Sequence, residues 1–407
     1  MRGEPARQRE AFFAQNAPMT RPQPPSRHLP VRFTPKNIAL VGPSRATLAV
    51  MGGSLIHEIG QTGHHTHCFA PELKDRSATE VLQRLRTRIG DLPSFGQGFS
   101  PIADQRAVWK LASTFRQLKP DIVAGYSPKG ALIAAIAARI ARVPHIVSMI
   151  GELGRGFEEA PEESSRVARQ YQKALLRLAF QLSDTAVFFN EGNYELLQRH
   201  KLIPERLRQF PMNGSGVDLR RFPTAQLPPL NRGVMFLYAG PLDRRFGIAE
   251  FCHAARILRS KPGNYQCIVV GPEVRGANGF PLSALKRYRD VVQYVGPQAD
   301  PRPAIAHTHV FVLPARGDVV PQALIEAVAM GRPVITSTAR GCRVAVREGA
   351  NGMIVPAGDP QALAGAMARL LLRPDLIPSM SRASRELAES EFDVRRINAM
   401  LLAALDL

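Results

Sequence analysis

VFVLPARGDVVPQALIEAVAMGRPVITSTARGCRVAVREGANGMIVPAGD, residues 310–359, is the stretch that decides the fold. It begins as a short apolar run ending at Pro314, as a strand buried on both faces ends. A loop carrying Asp318 follows. Pro321 suits the first turn of a helix, and that helix is expected to run over Gln322–Met330 with Glu326 inside it. RPVITS (Arg332–Ser337) and GMIVPAGD (Gly352–Asp359) then read as further strands. Strand, helix and strand with continuous rather than alternating apolar residues predict a parallel sheet.

The same alternation extends upstream. GVMFLYAG (Gly233–Gly240), a helix over Ile248–Arg259, YQCIVVGP (Tyr265–Pro272), VVQYVG (Val291–Gly296) and HVFVLP (His309–Pro314) precede the deciding stretch, and helices Pro360–Leu372 and Asp393–Leu405 close the chain. A first set of units runs from Lys36: NIALVG (Asn37–Gly42), the helical SLIHEIGQTG, HTHCFAP (His65–Pro71), DIVAGYS (Asp121–Ser127), the helical ALIAAIAARIA, HIVSMIG (His145–Gly151), a helix over Arg166–Leu182 and TAVFFN (Thr185–Asn190). Between the two sets lies the proline-rich FPTAQLPPLNRG. The pattern predicts an α/β chain of two Rossmann-like domains facing across a cleft. The boundaries are a flexible basic tail (1–35), an N-terminal domain (36–222), a linker (223–233), a C-terminal domain (234–390) and a closing helix (391–407). Ligands of such sheets bind at the carboxyl ends of the strands.

Composition narrows the function. The 407 residues include 53 Lys+Arg and 34 Asp+Glu, a net charge of +19, with 45% hydrophobic residues and 34 prolines. That is a soluble globular composition with an anionic partner: nucleic acid, a membrane surface or a phosphorylated ligand. One Trp and 7% aromatics, with basic residues spread along the chain, argue against nucleic acid. The four cysteines (Cys68, Cys252, Cys267, Cys342) form no C-x-x-C pair, which argues against a zinc site or a disulfide scaffold and for a reducing cytoplasm. No apolar run is long enough to span a bilayer, and the N-terminus lacks a secretory apolar core.

The chemistry of the deciding stretch is anion and sugar binding. A helix N-terminus at a cleft presents backbone N–H groups and a positive dipole end to a diphosphate. Carboxylates nearby accept hydrogen bonds from sugar hydroxyls. The E-A-V-A-M-G-R-P-V-I-T-S and G-A-N-G-M-I-V-P-A-G-D runs resemble the donor-binding core of the GT-B glycosyltransferases of family 4, retaining enzymes that use nucleotide sugars. GSGVDLRRF (Gly214–Phe222) resembles the end of that family's N-terminal domain. DIVAGYSPKGALIAAIAARIARVPHIVSMIGELGRGF (Asp121–Phe157) resembles a subgroup that builds bacterial surface polysaccharides on lipid carriers.

The resemblance implies a uridine diphosphate sugar as donor, a lipid-linked or growing polysaccharide as acceptor, and no metal or other cofactor. It places the catalytic carboxylate on Asp318, where the family has glutamate, and the ribose-binding carboxylate on Glu326, eight positions later. Gly240, Val320 and Pro321 would line the donor. The family's diphosphate-gripping pair falls on Pro241 and Phe246 in AGPLDRRFGI (Ala239–Ile248), so Arg244 and Arg245 become the candidate cations. Val319 replaces a common glycine, and Ala124 stands where the subgroup has histidine. The acceptor is expected near Gly42, a Met51–Gly52–Gly53 turn, Ser127 and Lys129.

Simpler readings remain for each. Asp318 and Glu326 suit the flank of any helix N-terminus, Arg244 and Arg245 an exposed loop, Gly52 and Gly53 a structural turn, and Ser127 and Lys129 an ordinary loop. His64, His65 and His67 invite a metal reading, against which stand their alternation across a strand and the absence of nearby acidic partners. Arg166, Arg169, Lys173 and Arg177 recur at helical spacing. They form either a solvated face or a docking face for anionic lipid at the inner side of a membrane, with Val167, Tyr171, Ala174, Leu175, Leu178 and Leu182 on the other side. Two functions compete: a retaining glycosyltransferase, and a non-catalytic relative serving as a subunit or scaffold, favoured by the changes at Ala124, Pro241 and Phe246. A nucleotide-sugar epimerase is a third, weaker fit.

Overall fold

The computed structural model of the chain describes residues 34–71, 76–95, 100–154, 157 and 166–407. The expectation of a flexible tail over 1–35 therefore falls almost wholly outside the described residues. From Lys36 to Leu407 the chain is one unit.

Two parallel sheets carry it. The first holds β1 (Asn37–Val41), β2 (His65–Pro71), β3 (Arg88–Leu92), β4 (Ile122–Tyr126), β5 (His145–Ile150), β6 (Thr185–Phe188) and β7 (Arg208–Pro211), in the order β3-β2-β1-β4-β5-β6-β7. The second holds β8 (Val234–Ala239), β9 (Tyr265–Val270), β10 (Gln293–Gly296), β11 (Val310–Leu313), β12 (Val334–Ser337) and β13 (Gly352–Val355), in the order β10-β9-β8-β11-β12-β13. Every strand pair is parallel. The order reverses between β1 and β4 in one sheet and between β8 and β11 in the other, so each sheet has one switch point. The apolar runs of β1 and β4 are buried on both faces because helices cover both, which is why they do not alternate.

Polar caps fix where several helices start, and they lie just beyond strand ends. Ser44 accepts from Thr47 N–H at the start of Arg45–Gln61, Ser127 from Gly130 N–H at the start of Pro128–Ala141, and Asn190 from Gly192 N–H at the start of Glu191–Arg199. Each satisfies an orphan donor of a first turn. The Ser44 cap corrects the expected turn at Met51–Gly52–Gly53: these residues lie inside Arg45–Gln61, because the helix begins a full two turns earlier than its apolar spacing suggested.

Other elements departed from expectation. Strand β3 and the helices Arg76–Arg84 and Pro101–Leu118 were unread, as was Ile377–Leu387 near the C-terminus. The helix Arg166–Leu182 buries Leu175, Leu176, Ala179 and Phe180. Its core side is thus rotated from the expected line, and Val167 and Leu178 are 78% and 42% exposed.

The connecting segment and the closing helix both help to hold the halves together. Arg332 is fully buried and donates to the carbonyls of Ala225 and Gln226 on the connecting segment and of Ile305 and Ala306 in the second half. The closing helix, Val394–Ala404, returns to the first half, where Ile397, Leu401 and Ala404 pack with Ile38, Leu55 and Val187. The outgoing and returning segments cross at Gly216: Val217 N–H donates to Phe392 O at 2.8 Å and Val394 N–H to Val217 O at 3.1 Å. A Cβ at Gly216, which holds φ +80, would lie 2.8 Å from Val394 Cα. Only glycine meets both demands.

Candidate functional site

At the β8/β11 switch point two loops are stitched together. Gly240 follows β8 beside Leu313, a Cβ there lying 3.5 Å from Leu313 Cδ1, and Gly247 abuts Pro314. Arg316 N–H donates to Arg245 O at 2.7 Å. Gly240 and the segment 314–321 thus lie at neighbouring strand ends, where the fold places a ligand.

The two candidate cations are both engaged nearby. Asp243 caps the short turn Arg244–Phe246, its Oδ1 accepting from Arg245 N–H at 2.8 Å. The Arg245 guanidinium folds back on the same carboxylate, with Nε 3.0 Å from Oδ1 and Nη2 2.6 Å from Oδ2. Burial pushes the Asp243 carboxyl up, but these bonds from Arg245 hold it below its usual value. Arg244 is exposed and lies over the Phe280 ring, 5.5 Å from its centroid, in the segment after β9.

Asp318 is 9% exposed and faces the first half of the chain. Its Oδ2 accepts from Leu153 N–H at 2.6 Å and from Asn193 Nδ2 at 3.2 Å. Its carbonyl accepts from Asn190 Nδ2 at 2.6 Å. Burial raises its carboxyl above the usual range, opposed by the Leu153 bond and the nearby Arg340 charge. Arg340 closes the same junction, donating from Nε to Asn193 Oδ1 at 2.9 Å and from Nη2 to Phe157 O at 2.6 Å.

Glu326 lies within the helix Gln322–Ala329, half-buried. Pro321 is buried just before the first helical residue rather than within the first turn, and no side chain caps this helix. Burial pushes the Glu326 carboxyl up to about 7, against the pull of Arg221 and a hydrogen bond from Gln322. Gln322 in turn anchors the connecting segment: its Oε1 accepts from Ser215 Oγ at 3.1 Å and its Nε2 donates to Gly216 O at 3.1 Å. Val320 packs against Gly214 of that segment.

Comparison with known proteins matches two models. Residues 49–214 match a glycosyl transferase 4-like domain and residues 233–373 match glycosyl transferases group 1. The chain belongs to the family 4 glycosyltransferases. Among relatives, it is 29% identical over 208 residues to the amylovoran biosynthesis glycosyltransferase AmsK of Erwinia amylovora, covering 48% of this chain and 51% of that one. It is 22% identical over 266 residues to the N,N'-diacetylbacillosaminyl-diphospho-undecaprenol alpha-1,3-N-acetylgalactosaminyltransferase of Campylobacter jejuni, covering 62% and 68%. The match thus spans about half the length of the first of these relatives. The Anabaena protein HepE, solved in complex with UDP, superposes with a TM-score of 0.72 at 17% identity over 91% of this chain and 99% of its own. The fold is GT-B.

In the first half of this glycosyltransferase, the expected acceptor residues are placed as follows. Gly42 follows β1, and the Leu48 side chain fills the space beside it. Gly52 lies under the Tyr126 hydroxyl, 3.4 Å from where a Cβ would sit, and Gly53 is near Leu85. Ser127 holds φ +68 at the end of β4. Lys129 is buried, its Nζ 2.8 Å from Asp104 Oδ1. Arg166, Arg169 and Arg177 are exposed, and Lys173 Nζ lies 3.4 Å from His200 Nδ1. Among the described residues no group of His, Cys, Asp and Glu is placed to hold a metal ion, and no helix is long and apolar enough to cross a membrane.

Sequence reading missed Asn190, Asn193, Arg340, Glu250 and Arg316. For Asn190 a signal existed: an asparagine directly after an apolar strand is a helix cap, and its amide is free to reach a second partner. The others become visible only when loops distant in sequence meet.

Proposed function

We propose that the chain is a retaining glycosyltransferase that moves a sugar from a nucleoside diphosphate, uridine diphosphate first, to a lipid-linked or growing surface glycan. The observation that carries this reading is Glu326: a half-buried carboxylate with a raised pKa, on an uncapped helix that begins beside the β8/β11 switch point. Ribose hydroxyls donating to it favour its charged form and relieve its isolation. Gly240, Val320 and Pro321 border the donor, the helix N-terminus lies toward its diphosphate beside the loop that carries Arg244 and Arg245, and Asp318 serves the sugar through Oδ1. The bond from the anomeric carbon to the phosphate oxygen breaks, one to an acceptor hydroxyl oxygen forms, and the hydroxyl proton passes to the departing phosphate oxygen. The departing diphosphate takes the developing negative charge, which fixed donors and cations stabilise. The acceptor lies at the opposite switch point, by Gly42, Gly52, Gly53, Ser127 and Lys129. The relative whose name specifies a diphospho-undecaprenol substrate and the neighbour solved with UDP support the two substrate classes.

A non-catalytic relative is the second reading, and one observation favours it: the Oδ2 atom of Asp318 is already occupied by the first half of the chain. Calorimetry of the full chain with uridine and guanosine diphosphate sugars tests both. Saturable binding that Glu326→Ala weakens about tenfold, together with sugar transfer, is expected. Binding without transfer or hydrolysis selects the non-catalytic relative, and no binding at millimolar ligand overturns the donor assignment.

We also propose that the helix Arg166–Leu182 docks on anionic lipid, where a lipid-linked acceptor resides. Its exposed Val167 and Leu178 flank the row Arg166, Arg169, Lys173 and Arg177, an apolar edge beside a basic face.

A further inference from the structure

We propose that Arg316, held by Glu250, is the cation that binds the donor's diphosphate. This rests on the nucleoside diphosphate reading of the same crevice. Arg245 is tied to Asp243 and Arg244 leans on Phe280, toward the β9 side. Arg316 instead lies three residues past the end of β11, at the switch point, with its backbone N–H bonded to Arg245 O.

Glu250 lies in the first turn of Ile248–Leu258 and is buried. Its Oε1 pairs with Arg316 Nη2. Its Oε2 is buried with no hydrogen-bond partner among the described residues. A buried carboxylate with a single partner holds that partner firmly, because separating them would leave a charge isolated. The guanidinium is further confined by the backbone at Gly358, where a Cβ would stand 2.6 Å from Nη2.

Only Nη2 is used. The Nε and Nη1 groups of Arg316 make no hydrogen bond among the described residues, and beside Gly317 nothing lies within 4 Å of a Cβ position. An oriented guanidinium with free N–H groups next to open space suits a phosphate, whose oxygens it grips in pairs. The helix Ile248–Leu258 begins at Gly247 without a side-chain cap, so its dipole adds positive potential on the same side. Glu250 is then a positioning residue.

The test is calorimetry of the full chain with UDP and with UMP. Arg316→Ala is expected to weaken UDP about tenfold or more while changing UMP far less, and Arg316→Lys to recover part of the loss, since it keeps charge without the fork. Glu250→Ala is expected to weaken UDP several-fold and leave UMP unchanged, a split that general destabilisation does not produce. Arg244→Ala and Arg245→Ala are expected to change UDP less than Arg316→Ala does. UDP affinity unaltered by both Arg316 variants, while Glu326→Ala still weakens it, overturns the assignment of Arg316 and leaves the donor reading standing. Absence of UDP and GDP binding to the unaltered chain overturns both.

Discussion

The Leu153 backbone N–H donates to Asp318 Oδ2 across 2.6 Å, so the carboxylate proposed for the chemistry also fastens the two halves of the molecule. Asparagine at this position can still accept from Leu153, whereas alanine cannot. Asp318→Asn is therefore expected to keep the melting temperature close to that of the parent and to lose transfer activity. Asp318→Ala is expected to lose both, with stability falling by about 1–3 kcal/mol for the unpaired N–H. Thermal unfolding read beside turnover separates the two roles; full activity in Asp318→Asn contradicts a catalytic one.

Glu326 makes the molecule pH-sensitive. Its carboxyl is raised from 4.5 to about 7 by burial, so the folded state holds the proton more tightly than the unfolded chain. The sign follows: this group's contribution is most favourable below 4.5, is lost as pH rises toward 7, and is constant above. Relative to the parent, Glu326→Gln is expected to gain about 3 kcal/mol between these limits, read from urea unfolding at several pH values. UDP affinity is expected to rise through pH 7 in the parent, since ribose favours the carboxylate, and to stay flat in the glutamine variant.

Arg332 bonds the connecting segment to the second half through carbonyls of Ala225, Gln226, Ile305 and Ala306, and burial lowers its guanidinium to about 10. Removing it takes this donor from all four carbonyls, of which Ile305 O keeps Thr308 N–H and Oγ1. Arg332→Ala is expected to cost about 3 kcal/mol or more, and Arg332→Lys to recover little, because one ammonium cannot span the fork. Denaturant unfolding gives the answer directly.

For the proposed membrane face, neutralising Arg166, Arg169, Lys173 and Arg177 together is expected to abolish co-sedimentation with vesicles containing anionic phospholipid at low salt, without altering UDP binding. Unchanged co-sedimentation assigns these residues to a solvated face.

The strands of both sheets were largely legible because parallel strands buried on both faces leave continuous apolar runs, as in NIALVG and VFVLP. Edge strand β3, RIGDL, has mixed burial and no such run. The helix around Gly52 was hidden because glycine lowers helix propensity and its Ser44 cap lies upstream of the apolar pattern. In the candidate site, Asp318 and Glu326 were singled out through a local motif. Asn193, Arg340, Glu250 and Arg316 were not, since each acts on a partner at least 66 positions away, and no local spacing encodes that meeting.

The central claim is retaining transfer, and its most direct measurement is NMR of the anomeric centre after incubating the full chain with the nucleotide sugar it binds and a polyprenyl-diphosphate-linked sugar. A new glycoside with the donor's anomeric configuration, absent in Asp318→Asn, is the expected result. An inverted product, or none from a bound donor and acceptor, contradicts it.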